Sequence, residues 1–300
     1  MPIHLGTGDR RAFLQSVAAG AVAITALPAP GAEVDDDLVY LLNDTHIGEK
    51  HPPASPVPSH FREVVNEVVG LKRPPAAVLI NGDLALKDGQ PGDYRHFAKL
   101  IRPLREARVN LHLTLGNHDH RKTFYDVLTE EKPDDSPVAA RHVSVVRTRH
   151  ANFFLLDSLT KTMVTQGTIG SVQMKWLMQS LDAHRDKPAI IVTHHNPRLG
   201  GDPKHFPGGL IDSRELWDAL EPRRHVKAYV HGHVHHWSLA KHRGIHIINT
   251  PATSYVGNKA VSTTGWTTGR FDRGGVVLNI STHDRSHRWN GESVRLKWRT

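Results

Sequence analysis

The feature that most constrains the fold is an alternation of short apolar runs and amphipathic segments in the first half of the chain. Leu38 to Asn43, Ala76 to Asn81 and Val109 to Leu115 are short and apolar, as buried strands are. Between them, Ser59 to Pro74 and Tyr94 to Ala107 place apolar residues at helical spacing. Because such alternation is typical of parallel strands joined by helical crossovers, the sequence predicts an α/β fold.

The second half of the chain predicts further strands, two helices and a loop. The predicted strands are Arg141 to Arg147, Asn152 to Asp157, Ala189 to Thr193, Val226 to Val230, Ile245 to Asn249, Gly275 to Ile280 and Ser293 to Trp298. Helices are predicted from Ser171 to Leu181, with Ser171 as the cap, and from Ser213 to Leu220. The Gly- and Pro-rich segment from Pro197 to Asp212 predicts a loop that could act as a lid. No interdomain linker is evident, so residues 33–300 are predicted to form one catalytic domain.

Potential metal ligands follow five of the predicted strands. They are Asp44 and His46, Asp83, Asn117 with His118, His194 with His195, and His233 with His235. Ligands of open α/β sheets collect beyond the carboxyl ends of the strands, so we expect these side chains to meet. One such group could arise by chance, whereas five in succession predict a metal site.

The composition restricts the metal that such a site could take. The chain has no cysteine, which excludes thiolate ligands and disulfides. Carboxylate, amide and imidazole ligands suit Mn, Fe, Zn, Co or Ni. A carboxylate shared by two such ions can hold them about 3.5 to 4 Å apart, the spacing used for in-line displacement at phosphorus.

The ordered motifs resemble those of the calcineurin-like metallophosphoesterases. The pattern comprises Asp-x-His at 44–46, Gly-Asp at 82–83, Gly-Asn-His-Asp at 116–119, a histidine at 194 and Gly-His-x-His at 232–235. It extends from Leu38 to His236. The resemblance implies a metal-dependent phosphoric ester hydrolase with a four-layer α/β/β/α sandwich of two mixed β-sheets. The β-rich tail, residues 245–298, would complete the second sheet.

By that resemblance, the site residues divide into two metal sites and a proton donor. One metal would be bound by Asp44, His46, Asp83 and His235, and the other by Asp83, Asn117, His194 and His233. Asp83 would bridge the two ions, and a hydroxide between them would attack phosphorus. His118 would bind a phosphoryl oxygen or protonate the leaving alkoxide, with Asp119 fixing its tautomer.

Three residues near these motifs have competing interpretations. His195 competes with His194 for one ligand position, and we favour His194 because it follows the strand directly. Asp157 ends an apolar run and looks catalytic, but the resemblance implies a structural role for it. His205 lies in the predicted lid, where a surface histidine is the simpler interpretation than a substrate contact.

The amino terminus resembles a twin-arginine (Tat) export signal. Arg10 and Arg11 precede an apolar stretch from Ser16 to Leu27, followed by Pro and small residues. This stretch is shorter than the roughly 20 residues that span a bilayer. We therefore expect residues 1–32 to be a signal peptide, no membrane anchor after processing, and a periplasmic or extracellular location. The alternative is an ordinary amphipathic helix with a chance Arg-Arg pair.

The charge balance gives only a weak indication of partners. A formal charge of +8 favours a small anionic substrate, here a phosphoester. There is no dense Lys/Arg block and no aromatic stacking motif, so no specific nucleic-acid binding is expected. The oligomeric state stays open.

Residues at two positions argue against two related classes of phosphoesterase. The related purple acid phosphatases have a tyrosine three residues after the bridging aspartate, where this chain has Leu86. Ser/Thr protein phosphatases have an arginine directly before their Gly-Asn-His-Glu, where this chain has Leu115. The resemblance is closest to the small bacterial cyclic-nucleotide and glycerophosphodiester phosphodiesterases. A broad phosphomonoesterase and a non-catalytic binder of metal or phosphate ligands stay open as alternatives.

Overall fold

A computed structural model describes residues 33–199 and 208–300. The predicted signal peptide, residues 1–32, and the part of the predicted lid that contains His205 lie outside the described residues. The described strands are β1 (Asp35–Leu42), β2 (Pro75–Asn81), β3 (Leu111–Thr114), β4 (Ser144–Arg147), β5 (Asn152–Leu155), β6 (Ala189–Val192), β7 (Val226–His231), β8 (Ser238–His242), β9 (Ile245–Asn249), β10 (Gly265–Asp272), β11 (Gly275–Thr282) and β12 (Ser293–Lys297). The described helices are α1 (Val57–Val69), α2 (Pro91–Glu106), α3 (Arg121–Val127), α4 (Ser171–Ala183) and α5 (Ser213–Leu220), with a short 3-10 turn at Thr129–Glu131.

The strands form two six-stranded mixed sheets. The first has the order β12-β11-β10-β1-β2-β3, and the second has the order β4-β5-β6-β7-β9-β8. Strands β1, β2 and β3 are parallel, as are β5, β6, β7 and β9. Antiparallel strands complete each sheet, with β10 beside β1 and β4 beside β5.

Alternating side chains of each central strand build two different cores. In β1, Val39 and Leu41 face the second sheet, while Tyr40 and Leu42 pack against α1 and α2. Strands buried on both faces read as continuous apolar runs, which explains why they could be recognised in the sequence. A third core lies between the second sheet and α4 and α5. The layers are therefore helix, sheet, sheet, helix, and the predicted α/β/β/α sandwich is confirmed.

Local sequence sets the ends of the crossover helices. Helix α2 begins with Pro91, whose fixed φ suits the first helical position, and Asp93 in its first turn complements the helix dipole. Helix α1 ends at Gly70. Helix α4 begins at Ser171, but its cap is Gly170, so the predicted capping role of Ser171 is wrong. In the part of the chain that the structure describes, no helix is long and apolar enough to cross a membrane.

Candidate metal centre

The predicted ligands lie where the carboxyl ends of the parallel strands of both sheets meet. From the first sheet, Asp44 follows β1, Asp83 follows β2 and Asn117 follows β3. From the second sheet, His194 follows β6 and His233 follows β7. The strand ends of the two sheets thus supply one site.

Asn81 at the end of β2 joins the two sheets at this point. Its side-chain amide donates to the carbonyl oxygen of Thr193 at 2.7 Å, and its side-chain oxygen accepts from Thr114 at 2.7 Å. Its own carbonyl oxygen lies 3.0 Å from His194 Nδ1. The relative position of Asp83 and His194 is therefore fixed by buried hydrogen bonds.

Two groups of side chains converge closely enough to hold metal ions. The ligand atoms of Asp44, His46, Asp83 and His235 lie within 4.8 Å of one another, and so do those of Asp83, His194 and His233. Asp83 is common to both groups. A carboxylate in that position is the arrangement expected between two ions.

In His46 and His194, a backbone carbonyl oxygen lies within hydrogen-bond distance of Nδ1, the ring nitrogen that points away from the site. His46 Nδ1 lies 3.1 Å from the carbonyl oxygen of Leu86, and His194 Nδ1 lies 3.0 Å from that of Asn81. A ring nitrogen that donates to a carbonyl leaves the other as an acceptor, which is the form that binds a metal. The inner nitrogens face carboxylates: His46 Nε2 is 3.7 Å and His194 Nε2 is 3.2 Å from Asp83 Oδ2.

Within residues 33–199 and 208–300, two buried polar atoms of predicted ligands have no hydrogen-bond partner. They are Asn117 Oδ1 and His194 Nε2, although the latter is only 3.2 Å from Asp83 Oδ2. A buried acceptor without a partner costs about 1–3 kcal/mol unless something else satisfies it. Acceptors that converge on one point from both sheets fit divalent cations.

The backbone at the site is strained. Five of the predicted ligands have positive φ, with Asp44 at 49°, His46 at 46°, Asp83 at 50°, His233 at 67° and His235 at 53°. Non-glycine residues in this region cost about 1–3 kcal/mol each and cluster at functional sites. The fold thus holds these side chains in place at a cost in stability.

The pKa values of the metal-free protein indicate that the buried carboxylates at this site require positive charge nearby. Burial alone would raise the pKa of Asp44, but His235 and His194 outweigh it and hold that pKa well below its usual range. Burial likewise opposes charge on His194, yet Asp83 and Asp44 raise its pKa to about 9. Without metal, protons on imidazoles neutralise the buried carboxylates, and cations would replace them.

His118 lies at the edge of this site, and a backbone carbonyl holds its ring. Its Nδ1 is 2.6 Å from the carbonyl oxygen of Lys87, and its backbone N–H donates to Asp83 Oδ1 at 2.8 Å. Its ring centroid is 5.1 Å from that of His46. The imidazole therefore stands next to the candidate ligands without belonging to either group.

The orienting role predicted for Asp119 is wrong. Its carboxylate accepts hydrogen bonds from the backbone N–H groups of Leu84, Ala85 and Gly116 and from the hydroxyl of Tyr94. Burial, together with the charge of Asp83, raises its pKa to about 6. It ties the turn after β2 to the turn after β3, and Lys87 takes the position beside His118.

His195 lies behind the site. Its Nδ1 is 2.7 Å from Ser158 Oγ, and its ring packs 4.6 Å from that of His233. Of the two adjacent histidines, only His194 belongs to a group that could hold a metal within the described residues.

The open face of the site is a cleft of about 400 Å³. Besides predicted residues, it is lined by Met163, Thr165 and the segment between β9 and β10, including Val256 and Ser262. Next to it, the ring of Tyr255 lies 5.0 Å from that of His46. The sequence analysis missed this segment, although β9 is a parallel strand and the same strand-end rule would have indicated residues 250–264.

The sandwich and its paired acidic and imidazole side chains define a class, the metal-dependent phosphoester hydrolases. Residues 38–237 match the calcineurin-like phosphoesterases, and the chain belongs to that family. A solved dimetal phosphatase from Danio rerio has the same fold, with a TM-score of 0.66 over 87% of this chain and 99% of that one at 14% identity.

Two curated relatives have names that specify substrates. The chain is 31% identical over 193 residues to a protein of Vibrio vulnificus (strain CMCP6) named 3',5'-cyclic adenosine monophosphate phosphodiesterase CpdA, covering 64% of this chain and 66% of that protein. It is 27% identical over 197 residues to a protein of Enterobacter lignolyticus (strain SCF1) named glycerophosphodiester phosphodiesterase GpdQ, covering 64% of this chain and 67% of that protein. About a third of each relative therefore lies outside the match.

Proposed function

We propose that this protein is a dinuclear metal-dependent phosphodiesterase that hydrolyses small phosphodiesters, with 3',5'-cyclic nucleotides as the favoured class. The observation on which the proposal rests is that Asp83 is shared by two groups of converging ligand atoms. Metal-binding side chains in this arrangement suit displacement at phosphorus rather than electron transfer.

In this proposal Asp44, His46, Asp83 and His235 hold one ion, and Asp83, Asn117, His194 and His233 hold the other. Two divalent ions at this site would supply an activated hydroxide and would neutralise charge on the phosphoryl oxygens. Their identity, among Mn, Fe, Zn, Co and Ni, follows only from the ligand types.

The chain itself supplies a proton donor at the cleft. His118 lines the cleft, and its Nδ1 faces the carbonyl oxygen of Lys87, so Nε2 is the nitrogen left to face a substrate. We propose that His118 acts as the imidazolium, in which Nε2 also has a proton and donates it to the leaving oxygen or donates a hydrogen bond to a phosphoryl oxygen.

The lining of the cleft favours a diester over a monoester. Of the described residues that line it, none is a lysine or an arginine. A phosphomonoester has one more negative charge than a diester at neutral pH, and enzymes commonly neutralise such charge with cationic side chains. The names of the two relatives, both phosphodiesterases, also support a diester.

The test compares matched substrates on the purified protein with each candidate metal supplied. We expect hydrolysis of bis(4-nitrophenyl) phosphate and of 3',5'-cyclic AMP to exceed that of 4-nitrophenyl phosphate. Preferential hydrolysis of the monoester would replace the proposal with a phosphomonoesterase. No hydrolysis of any of the three would support a non-catalytic binder instead.

A variant tests the shared ligand. Asp83→Asn should lower both the bound metal per chain and the rate, because a neutral amide bridges two cations poorly. Metal content and turnover like those of the wild type would refute the bridging role.

Export is a separate proposal, based on the Arg10-Arg11 pair and the apolar stretch that follows. We expect Arg10→Lys with Arg11→Lys to retain the precursor in the cytoplasm. Normal export of that double variant would contradict the Tat assignment.

A further inference from the structure

A second cavity opens beside the metal cleft, on the other side of the segment between β9 and β10. Its volume is about 530 Å³. We call it the histidine pocket; its lining includes Ser55, His60, Ser254, Tyr255, Thr264 and His283. It shares Val256 and Ser262 with the cleft, so the two cavities have a common wall. Its volume is within the range of small-molecule sites.

Tyr255 connects the two cavities. It lines the histidine pocket, and its ring centroid lies 5.0 Å from that of His46 and 5.7 Å from that of His235. Tyr255 is 39% exposed, although the candidate metal-binding side chains next to it are largely buried. A molecule that extends from the cleft into the pocket would pass over this ring.

Two stacked imidazoles form one wall of the pocket. The rings of His60 and His283 are 4.0 Å apart and inclined by 12°. Thr264 Oγ1 lies 3.0 Å from His60 Nδ1 and 3.1 Å from His283 Nδ1, and the His60 carbonyl oxygen lies 3.0 Å from His283 Nε2. These nitrogens are already used within the protein, and the His283 side chain is only 5% exposed, so the pair offers a ligand the ring face of His60, with His283 stacked behind it.

The pocket is not built for an anion. Burial and the neighbouring His283 lower the pKa of His60 to about 4, so that imidazole is neutral at pH 7. The lining also contains one lysine and one aspartate, Lys259 and Asp284, whose charges offset each other. Ser254 is 1% exposed, and its hydroxyl oxygen has no hydrogen-bond partner among the described residues. Neutral ring surface with a spare hydroxyl group suits a planar, uncharged, hydrogen-bonding group.

We propose that the histidine pocket is the nucleoside subsite of the active site. The base lies against the His60–His283 wall, the ribose passes over Tyr255, and the phosphoryl group lies in the cleft. This inference rests on the proposed function, because it identifies the organic part of the phosphodiester as a nucleoside.

The test uses adenosine, which has the nucleoside but no phosphate, as the probe. Thr263 is half-buried in the pocket lining and has no role at the metal centre, so Thr263→Trp should fill the pocket. Ala260 is exposed in the same segment and lines neither cavity, so Ala260→Trp is the matched control. Adenosine binding to the full metal-loaded chain is measured by saturation-transfer NMR and calorimetry.

We expect adenosine to bind the wild type and Ala260→Trp alike, and to bind Thr263→Trp about tenfold more weakly or worse. The ratio of kcat/KM for 3',5'-cyclic AMP to that for bis(4-nitrophenyl) phosphate should fall by a similar factor in Thr263→Trp. Absence of adenosine binding to the wild type, or equal binding to Thr263→Trp, would overturn the subsite even if the diester is hydrolysed. If adenosine binds the wild type but not Thr263→Trp, the subsite is supported even when no diester is hydrolysed. In that case only the proposed function fails.

Discussion

The Nδ1 of His118 lies 2.6 Å from the backbone carbonyl oxygen of Lys87, so a peptide group of the loop after β2 holds this imidazole. Holding one ring nitrogen fixes the tautomer and leaves the other nitrogen to face the cleft. The group that holds His118 is a backbone carbonyl rather than a side chain. The orientation of His118 therefore depends on the position of the loop after β2 and not on which residue stands at position 87. The catalytic proposal for His118 can therefore be tested apart from the residues that hold the metal.

His118→Ala should keep the bound metal and lower kcat by about 10²- to 10⁴-fold, the usual contribution of a general acid. The loss should be larger for 3',5'-cyclic AMP, whose leaving group is an alkoxide, than for bis(4-nitrophenyl) phosphate, whose leaving group needs no proton. Metal analysis and kinetics on both substrates check this. His120→Ala, which removes an exposed histidine in the same turn, should leave the rate close to wild type. Equal losses on the two substrates would indicate a phosphoryl-binding role instead.

Asp119→Asn should destabilise the protein and reduce its metal content, because Asp119 ties two ligand-bearing turns together. An amide presents only one acceptor oxygen, and its NH₂ group would face the backbone N–H groups of Leu84, Ala85 or Gly116. We expect a loss of about 1–3 kcal/mol in the free energy of unfolding. Tyr94→Phe removes one hydrogen bond to the same carboxylate and the acceptor of the His120 backbone N–H, but it leaves the three backbone bonds to Asp119 intact and should preserve the metal content. A fall in kcat with stability and metal content unchanged would instead restore the orienting role.

Gly116→Ala should abolish metal binding at the shared ligand. A Cβ at this position would lie 2.2 Å from Asp83 Oδ1, 2.6 Å from Asp83 N and 2.7 Å from His194 Cδ2. Relief of these contacts requires Asp83 to move, together with the turn that carries it. Gly257→Ala is the control, since its added methyl group would meet nothing within 4 Å. Wild-type metal content in Gly116→Ala would show that the site tolerates such movement.

The central parallel strands could be predicted from the sequence because both of their faces are buried. The antiparallel strand β10, Gly265–Asp272, could not be predicted, since it contains two glycines and two threonines. A Cβ on Gly265 would lie 2.3 Å from the carbonyl oxygen of Ser281, so close approach to β11 requires glycine there. Strand β8, Ser238–His242, is an exposed edge strand that pairs with β9 alone among the described strands. Strand β10 also depends on β1, which is distant in the sequence, whereas β8 pairs with the next strand across a tight turn and lacks an apolar pattern because it is exposed.

The convergence of the site could be predicted from strand ends, while the direction of each side chain could not. Asp119 follows His118 in sequence, but the tight turn directs its carboxylate toward the β2 turn. Tyr255 is an aromatic residue in a polar loop after β9, and nothing in the local sequence relates it to His46. The structural role of Asp157 follows from the sequence only through the resemblance. In the structure its carboxylate accepts hydrogen bonds from Arg121, which is consistent with that role.

Asp157→Asn should unfold more easily without losing metal. Its carboxylate is fully buried and lies 2.6 Å and 2.8 Å from Nε and Nη2 of Arg121. The Asp157 carboxylate is buried but the Arg121 side chain is 23% exposed, so removing this charge should cost about 1–3 kcal/mol. Asp126→Asn removes the exposed partner of Lys122 and should cost well under about 1 kcal/mol. Denaturant unfolding and metal analysis check both. A loss of activity from Asp157→Asn at wild-type stability would contradict the structural role.

Stability should fall as the pH is lowered from about 6.5 to about 4, and His112 should account for part of this fall. Burial, together with the nearby His142, lowers the pKa of His112 to about 4. Between pH 6.5 and pH 4 the unfolded chain therefore binds more protons at His112 than the folded protein does. The free energy of unfolding is highest above the pKa of His112 in the unfolded chain, and it falls as the pH drops toward the pKa of His112 in the folded protein. The contribution of this one residue is on the order of 2 kcal/mol between pH 7 and pH 4.

His112→Gln should flatten this pH dependence, because glutamine does not titrate and can still donate to Asn110 Oδ1, which lies 2.8 Å from His112 Nε2. The measurement is the free energy of unfolding in denaturant at several pH values between 4 and 7, for the variant and for the wild type. Groups that do not interact with His112 titrate equally in both proteins, so the difference between the two curves reports His112 together with its coupling to His142. His120→Gln, at an exposed position, should give a curve parallel to that of the wild type, lowered by the loss of the hydrogen bond from Thr123 N–H to the His120 ring. If His112→Gln and the wild type lose stability in parallel, the acid sensitivity arises elsewhere, with the equally buried His142 as the next residue to replace.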